Sequence, residues 1–435
     1  MQNSLLRNIL LLILPFQLLS CKKDVDEDGP EITFNTPFEN QSFEVYEHIA
    51  VSAEIKDETK IQSVTITLVD VNFIPVHNSL SVPVTSPQMS VNTTYELDNI
   101  HLASGSYYLQ IAATDGKNDA RVYRQVIING VPKALKRIML ATNSGTSATT
   151  MSYIDSTFSG VIPFHSFSGD YLGISASSYY QEVFLCGNYT GSYTALEVPS
   201  GAVKFTMAPL VTPSPYFTAY YSEEKNNYVA RFDGTIKGYD QLGNVMYNAN
   251  ANSGYYARKL IINNGTLLAE EKSKTSASRL LVSFYATGMA LQQVAISQDV
   301  VAFCRKDDDN VFVFGNASST AGLIQLYDRV HNNLWTPYGY TMPPGNILSV
   351  VRINMNTYLI AYSNGTIYQY DYQLGSLTTY LTGYTAVQLK YDEVNNRIYI
   401  AESHTVTGVD YPSKTIVNTV SSGETILGMD LLYNL

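Results

Sequence analysis

The sequence predicts an all-β protein in which a two-sheet sandwich precedes a closed ring of small sheets. Three observations predict this. Short runs of alternating apolar and polar residues, separated by turn residues, fill positions 31–130, which is typical of antiparallel sheets with one buried face. A unit of about 42 residues then repeats toward the end of the chain. Residues 133–435 show no helical periodicity.

Residues 1–20 have the features of a secretory signal. Arg7 precedes an apolar run from Ile9 to Leu19, and this run is too short to span a bilayer, which needs about 20 apolar residues. The order Leu18-Leu19-Ser20-Cys21 resembles a bacterial lipobox. That resemblance implies cleavage before Cys21 and lipidation of its thiol. A plain signal peptide with an incidental cysteine is the alternative.

Residues 21–30, "CKKDVDEDGP", form a charged tether after that cysteine. The acidic run resembles the export tag of Bacteroidetes surface lipoproteins, which carry acidic residues soon after the lipidated cysteine. The resemblance implies an outer-membrane protein that is lipid-anchored and exposed at the cell surface. A solvated spacer without an export role is the alternative.

Residues 31–130 predict a β-sandwich of two antiparallel sheets. The expected strands are "EITFN", "IAVSAEIKD", "IQSVTITLVD", "NTTYELDNI", "GSYYLQIAATD" and "VYRQVIIN". The segment "LQIAATDGKNDARVYRQVIIN" resembles the closing hairpin of bacterial immunoglobulin-like (Ig-like) or PKD-like modules. That resemblance implies a spacer domain.

Residues 133–435 predict a β-propeller of seven blades. The last repeat, "TAVQLKYDEVNNRIYIAESHTVTGVDYPSKTIVNTVSSG", contains four short strands, and "GTIYQYD" and "GTIKGYD" occupy the third strand of two earlier repeats. Four strands per repeat is the pattern of a propeller blade. The blades centre on 137–165, 171–207, 215–248, 256–294, 299–336, 346–380 and 386–420.

The first blade lacks an opening strand, and the end of the chain supplies one. The segment "ETILGMDLLYNL" has the pattern of the opening strand in the other repeats. We therefore expect it to pair with "KRIMLAT" and close the ring, because a closed ring leaves no unpaired sheet edge.

Composition excludes some functions. The chain has 27 lysines and arginines against 38 acidic residues, a net charge of −11, whereas nucleic-acid binding needs a basic surface. Besides Cys21, only Cys186 and Cys304 are present, and we expect two buried free thiols. The 34 tyrosines against one tryptophan suit sheet packing and binding faces alike.

No enzyme or cofactor motif is found. The sequence has no G-x-S-x-G, no H-E-x-x-H and no phosphate-binding glycine loop. The six histidines show no metal-ligand spacing, and the run Lys306–Asn310 lacks the glycine and glutamate of a calcium loop. A polar hairpin turn explains that run better. We predict no catalytic residue, metal or cofactor.

A ligand site is predicted where loops between consecutive blades meet the loops between second and third strands. This surface combines tyrosines with a few cations, a mixture that favours a flat or anionic ligand. The candidate residues are Tyr189, Tyr216, Arg231, Tyr255, Tyr256, Arg258, Lys272, Lys274, Tyr338, Tyr340 and His404.

As architecture, the whole chain resembles accessory lipoproteins of Bacteroides that serve TonB-dependent outer-membrane transporters. It is most similar to those with an Ig-like module and a propeller that bind xenosiderophores. The resemblance implies capture of a ferric catecholate siderophore and its transfer to a TonB-dependent receptor, with no nucleic acid as partner.

Other functions remain open from the residues. Within the capture class, the architecture is also similar to corrinoid-binding propeller lipoproteins, which implies a corrinoid (vitamin B12) as the alternative ligand, and a glycan is a further alternative. A propeller lyase or hydrolase acting on glycans would need an acid–base pair, for which Glu271 with His404 or Asp233 with His165 are the candidates. A protein-binding scaffold is the third possibility.

Overall fold

The computed structural model describes residues 28–145, 148–210, 212–223, 225–318, 321–337 and 341–435. The regular structure in these ranges is β-strand, and they contain no helix of the length and hydropathy that a membrane crossing requires. The predicted signal, Cys21 and most of the tether lie outside them. The chain divides into two compact units, Met1–Pro132 and Lys133–Leu435.

The first unit contains a three-stranded and a five-stranded sheet, ordered β1-β3-β6 and β2-β8-β7-β4-β5. Its strands are β1 Glu31–Thr36, β2 Gln41–Glu44, β3 His48–Lys56, β4 Ser63–Val69, β5 Leu80–Val82, β6 Gln88–Glu96, β7 Gly105–Thr114 and β8 Asp119–Asn129. Alternate residues of β3 are buried, and they share one apolar core with residues of the five-stranded sheet such as Ile66 and Ile111. The two sheets therefore pack face to face.

Two strands of this unit escaped the sequence analysis. They are β2, which pairs in parallel with β8, and β5, which pairs with β4. Both lie at sheet edges and have four and three residues, too few for alternation to be recognised. The sequence analysis also placed β6 about four residues too far along the chain. It expected the strand at "NTTYELDNI", whereas β6 spans Gln88–Glu96 and Asp98 and Asn99 lie beyond its end.

The second unit consists of four-stranded antiparallel sheets that follow one another along the chain. In the described residues there are seven, each written from its innermost strand outward. Sheet 1 is β36 Thr425–Tyr433, β9 Leu135–Asn143, β10 Ala148–Asp155 and β11 Ile162–Ser168; sheet 2 is β12 Gly173–Ser177, β13 Glu182–Cys186, β14 Tyr193–Glu197 and β15 Val203–Met207. Sheet 3 is β16 Phe217–Glu223, β17 Asn226–Arg231, β18 Thr235–Tyr239 and β19 Val245–Asn250; sheet 4 is β20 Tyr255–Asn263, β21 Thr266–Ser273, β22 Arg279–Phe284 and β23 Ala290–Ile296. Sheet 5 is β24 Asp299–Arg305, β25 Asn310–Ser318, β26 Ala321–Asp328 and β27 Asn333–Trp335. Sheet 6 is β28 Ile347–Arg352, β29 Thr357–Tyr362, β30 Thr366–Asp371 and β31 Ser376–Thr382; sheet 7 is β32 Gln388–Asp392, β33 Arg397–Ala401, β34 Thr405–Asp410 and β35 Ile416–Ser421.

The last strand of the chain joins the first strand of this unit, as the sequence predicts. β36 pairs antiparallel with β9, and Leu431 lies opposite Ile138. The innermost strands contact each other in the order β36, β12, β16, β20, β24, β28, β32, and β32 contacts β36 again. The sheets thus form a closed, propeller-like ring.

An apolar layer lies between each pair of consecutive sheets. The layer between sheets 7 and 1 includes Ile138, Met429 and Tyr399, and the layer between sheets 1 and 2 includes Met139 and Leu432. Each fully buried side chain of this size contributes about 1.5–3 kcal/mol. These layers hold the ring together.

Tyrosine fills many of these layers. Several tyrosines have under 2% of their surface exposed, namely Tyr193, Tyr327, Tyr358, Tyr362, Tyr370 and Tyr399. Cys186 and Cys304 are buried and unbridged, as predicted, and burial raises the pKa of the Cys304 thiol to about 12. Much of the tyrosine excess therefore serves packing between sheets.

The ring has two ends. We call the end at the amino termini of the innermost strands the loop end, because the chain passes there from the outermost strand of one sheet to the innermost strand of the next, as from β11 to β12. The opposite end, at the carboxyl termini of the innermost strands, is the turn end. Since neighbouring strands are antiparallel, turns between second and third strands also lie at the loop end.

Candidate ligand-binding site

A cluster of rings and cations lies at the loop end of sheets 3 and 4. The Arg231 guanidinium lies 5.3 Å from the centroid of the Tyr216 ring, and the Lys274 ammonium lies 5.4 Å from the Phe232 ring. The Phe232 and Tyr256 ring centroids are 4.9 Å apart. The structure thus brings four of the predicted residues together around Phe232. We call these five residues the ring–cation cluster.

Short backbone contacts position this cluster. The Phe232 N–H donates to the Tyr216 carbonyl at 3.1 Å, and the Lys274 N–H donates to the Gly254 carbonyl at 2.9 Å. The Lys274 ammonium also donates to the Asp233 carbonyl at 3.1 Å. The loops of two adjacent sheets are therefore joined at this point.

Asp233 supplies the negative charge beside the cluster. Burial favours its neutral form, but hydrogen bonds from the Thr235 N–H and hydroxyl, together with Arg231 and Lys274, outweigh burial and lower its pKa. Two cations thus face one ionised carboxylate. A positive charge remains for an anionic ligand, and the rings offer partly exposed faces for stacking.

Arg258 is engaged elsewhere. Its guanidinium lies 2.5 Å from Asp299, which also pairs with Arg279 at 3.0 Å. Arg279 pairs in turn with the fully buried Glu270 at 2.7 Å. Burial raises the pKa of Glu270, against the opposing effect of Arg258 and Arg279. This network links sheets 4 and 5.

The remaining predicted residues are spread around the loop end. Tyr189, 42% exposed, lies in the β13–β14 turn, where its N–H donates to Asp170. Tyr255 and Lys272 lie on β20 and β21. His404 is exposed in the β33–β34 turn on sheet 7. Tyr338 and Tyr340 lie outside the described residues.

Phe232 was missed because sequence analysis selected tyrosines and cations. Its position directly after Arg231, between "YVAR" and "DGTI", was the available signal, since a bulky ring in a tight turn needs a partner.

The other feature that the sequence analysis did not predict is a pair of cavities at the turn end. Glu223 and Arg305 are among the residues that line both.

The candidate acid–base pairs occupy different sheets. Glu271 on β21 is buried, and its carboxylate accepts hydrogen bonds from the N–H and side-chain amide of Asn252 at 3.0 and 2.9 Å. His404 belongs to sheet 7. The ring centroid of His165 on β11 lies 4.7 Å from that of Phe167. The Asp233 carboxylate accepts a hydrogen bond from the Thr235 N–H.

The run Lys306–Asn310 forms the β24–β25 turn. The Asp307 carboxylate accepts hydrogen bonds from the Asn310 N–H at 2.9 Å and its side-chain amide at 2.7 Å. In the part of the chain that the structure describes, no group of three or more histidine, cysteine or acidic side chains is placed to hold a metal ion.

No protein-family model matches the sequence, and no curated protein matches it. Solved structures do resemble it. They include the computationally designed protein Ika8, with 14% identity, a TM-score of 0.47 and coverage of 67% of this chain and 89% of that one. A chain of the mitotic checkpoint complex shows 14% identity, a TM-score of 0.48 and coverage of 60% and 80%. A quinoprotein alcohol dehydrogenase-like protein from Bacteroides thetaiotaomicron shows 14% identity, a TM-score of 0.46 and coverage of 94% and 99%. Similarity at this level carries no functional argument. The ring of four-stranded sheets itself makes the chain an all-β, propeller-like protein.

Proposed function

We propose that this chain is a surface lipoprotein that captures a ferric catecholate siderophore and passes it to a TonB-dependent outer-membrane transporter. In this proposal the second unit is a seven-bladed propeller that binds the ligand. The first unit is an Ig-like spacer, and the lipid on Cys21 anchors the protein. The observation that carries the proposal is the ring–cation cluster.

The chemistry of the ligand fits this cluster. A ferric tris-catecholate is a compact trianion with flat aromatic faces. Arg231 and Lys274 would meet its charge, and the rings of Tyr216 and Tyr256 would stack on its catechols. The net charge of −11 does not oppose this, because the local field at the site decides binding.

The test is a titration of the chain from residue 22 with ferric enterobactin and, separately, with cyanocobalamin, followed by quenching of intrinsic fluorescence. The double variant R231Q/K274Q should bind ferric enterobactin at least about tenfold more weakly, because each charged contact is worth about 1.5–3 kcal/mol. The double variant K56Q/R121Q, which changes two exposed cations of the first unit, is the matched control.

Unchanged affinity in R231Q/K274Q would place the ligand elsewhere. Tighter binding of cyanocobalamin than of ferric enterobactin would replace the proposal with corrinoid capture. If neither ligand quenches the fluorescence, the protein captures neither the siderophore nor the corrinoid.

The lipid anchor has its own test. A Cys21→Ser variant expressed in a Bacteroides host should lose incorporation of an alkyne-labelled fatty acid and leave the membrane fraction. Ser20→Thr is the control that leaves the thiol in place. Retention of the label in Cys21→Ser would disprove lipidation at this position.

A further inference from the structure

Two adjoining cavities lie at the turn end of the second unit, away from the ring–cation cluster. Their volumes are 640 Å³ and 570 Å³, within the range of small-molecule sites. They share Glu223, Asn226 and Arg305 as lining residues, so they adjoin across a common wall. None of the predicted ligand-site residues that the structure describes lines either cavity.

The common wall is held rigidly. The Arg305 guanidinium donates to the Ile262 carbonyl at 2.6 Å and to the Tyr221 hydroxyl at 3.2 Å, and it pairs with Glu223. These partners come from sheets 3 and 4, while Arg305 ends the innermost strand of sheet 5. The cavity wall is therefore preorganised by contacts between sheets, as a binding site requires.

The cavities carry both signs of charge. Among the described residues, five cations and four acids line them: Lys225, Arg305, Lys306, Arg352, Lys390, Glu223, Asp307, Asp308 and Asp430. Arg305, Lys306 and Lys390 are paired with carboxylates. Within the described part of the chain, Lys225 and Arg352 have no carboxylate partner; the Lys225 ammonium lies 4.0 Å from the Tyr179 ring, and Arg352 donates to the Lys306 carbonyl.

Each cavity is thus lined by one exposed cation for which the described residues supply no carboxylate partner, Lys225 in the first and Arg352 in the second. Asp308 lines the second cavity together with Arg352, so this cavity suits a single negative charge better than the higher charge of phosphate. Carboxylates accept hydrogen bonds, so they fit a ligand that brings hydroxyl donors. Asn226 offers both a donor and an acceptor for the same purpose.

We propose that this double cavity binds an acidic carbohydrate, with a uronate carboxylate on Arg352 or Lys225 and ring hydroxyls on Asp308, Glu223 and Asn226. A carboxylate on a guanidinium forms a strong, oriented pair. Two cavities that share a wall fit two or more adjacent sugar residues. This site is separate from the siderophore surface and uses none of its residues.

The experiment is isothermal titration of the chain from residue 22 with oligogalacturonate and oligomannuronate of two to four residues. Neutral galactobiose, which has a hydroxymethyl group in place of each carboxylate of digalacturonate, tests the role of charge. Inorganic phosphate, added as competitor, tests whether any anion suffices. The variants are Arg352→Gln and Lys225→Gln, and Arg121→Gln in the first unit is the matched control.

We expect at least one uronate series to bind more tightly than galactobiose, and each variant to weaken that binding about tenfold while Arg121→Gln leaves it unchanged. Arg352 and Lys225 are both exposed, so we expect their replacement to leave the fold intact. A melting temperature equal to that of the parent protein will show this. Equal binding of galactobiose, displacement by equimolar phosphate, no uronate binding, or no effect of either variant would each overturn the proposal. None of these outcomes bears on ferric enterobactin binding.

Discussion

The two ends of the ring engage their cations in similar ways but differ in shape. At the loop end, cations lie on rings or in ion pairs, as Lys274 does on Phe232 and Arg258 does with Asp299. At the turn end, Arg305 and Lys390 are likewise paired with carboxylates and Lys225 lies on the Tyr179 ring, but two adjoining cavities also lie there. The loop end therefore offers a surface, whereas the turn end offers two adjoining recesses that open to solvent.

This difference shows what residue types alone can locate. Sequence analysis assigned binding to the loop end because its connections are long and rich in tyrosine and cations. The volume of a recess depends on the distances between strands and turns of different sheets, which no residue pattern reports. Surface and cavity suit different ligands, a flat anion for the first and a polyhydroxylated one for the second.

Opening the ring should have the largest effect, because it would destroy both ends at once. Leu432 on β36 is fully buried between sheets 1 and 2. Leu432→Asp places a carboxylate in that layer, and we expect a loss of at least about 4 kcal/mol or no soluble protein. Chemical denaturation followed by near-ultraviolet circular dichroism measures the loss.

The matched control is Leu374→Asp, at a side chain that is 76% exposed in the β30–β31 turn. It should change the free energy of unfolding by less than about 0.5 kcal/mol. Equal stability of the two variants would contradict a closed ring held by β36.

Much of the fold could be predicted from the sequence, because each repeat carries its own strand pattern and the terminal strand repeats that pattern. The pairing of Leu431 with Ile138 follows from the missing strand of sheet 1. The site was less predictable. Arg258 carries the same charge as Arg231, yet the distant Asp299 engages it, and such a pairing depends on inter-sheet packing that local sequence does not encode.

A second, intermediate effect should come from Asp170 at the loop end. Its carboxylate accepts hydrogen bonds from the N–H groups of Asn188, Tyr189, Thr190 and Gly191. Burial acts against its ionised form, but these N–H groups outweigh burial and lower its pKa. Asp170→Ala should cost about 2 kcal/mol and increase hydrogen exchange in residues 187–192.

Its counterpart at the turn end is Asp309, which pairs with Arg329 at 3.0 Å and is 54% exposed. Because exposed ion pairs contribute little, Asp309→Ala should cost at most about 1 kcal/mol. A larger loss of unfolding free energy in Asp309→Ala than in Asp170→Ala would contradict this expectation. It would show that the turn end depends more on its carboxylate than the loop end does.

The smallest effect concerns pH and again separates the two ends. Burial raises the pKa of Glu271 at the loop end, although the N–H and side-chain amide of Asn252 oppose the shift. A raised folded-state pKa contributes stability that is present below the unfolded-state pKa and lost as pH rises through the folded-state value. Glu271→Gln removes this loss, so the free energy of unfolding of the variant, relative to that of the parent protein, should be larger at pH 8 than at pH 4.

Asp307 at the turn end should behave in the opposite way. Burial would raise its pKa, but hydrogen bonds from Lys306, the Asn310 side chain and the Asp309 N–H prevail and lower it. Its contribution is present above the unfolded-state pKa and is lost as pH falls through the folded-state value. Asp307→Asn should therefore be more destabilising at pH 7 than at pH 3. Denaturation curves of both variants across this range measure the two slopes, and slopes of the same sign would show that one of the two carboxylates lies in a different environment from the one described.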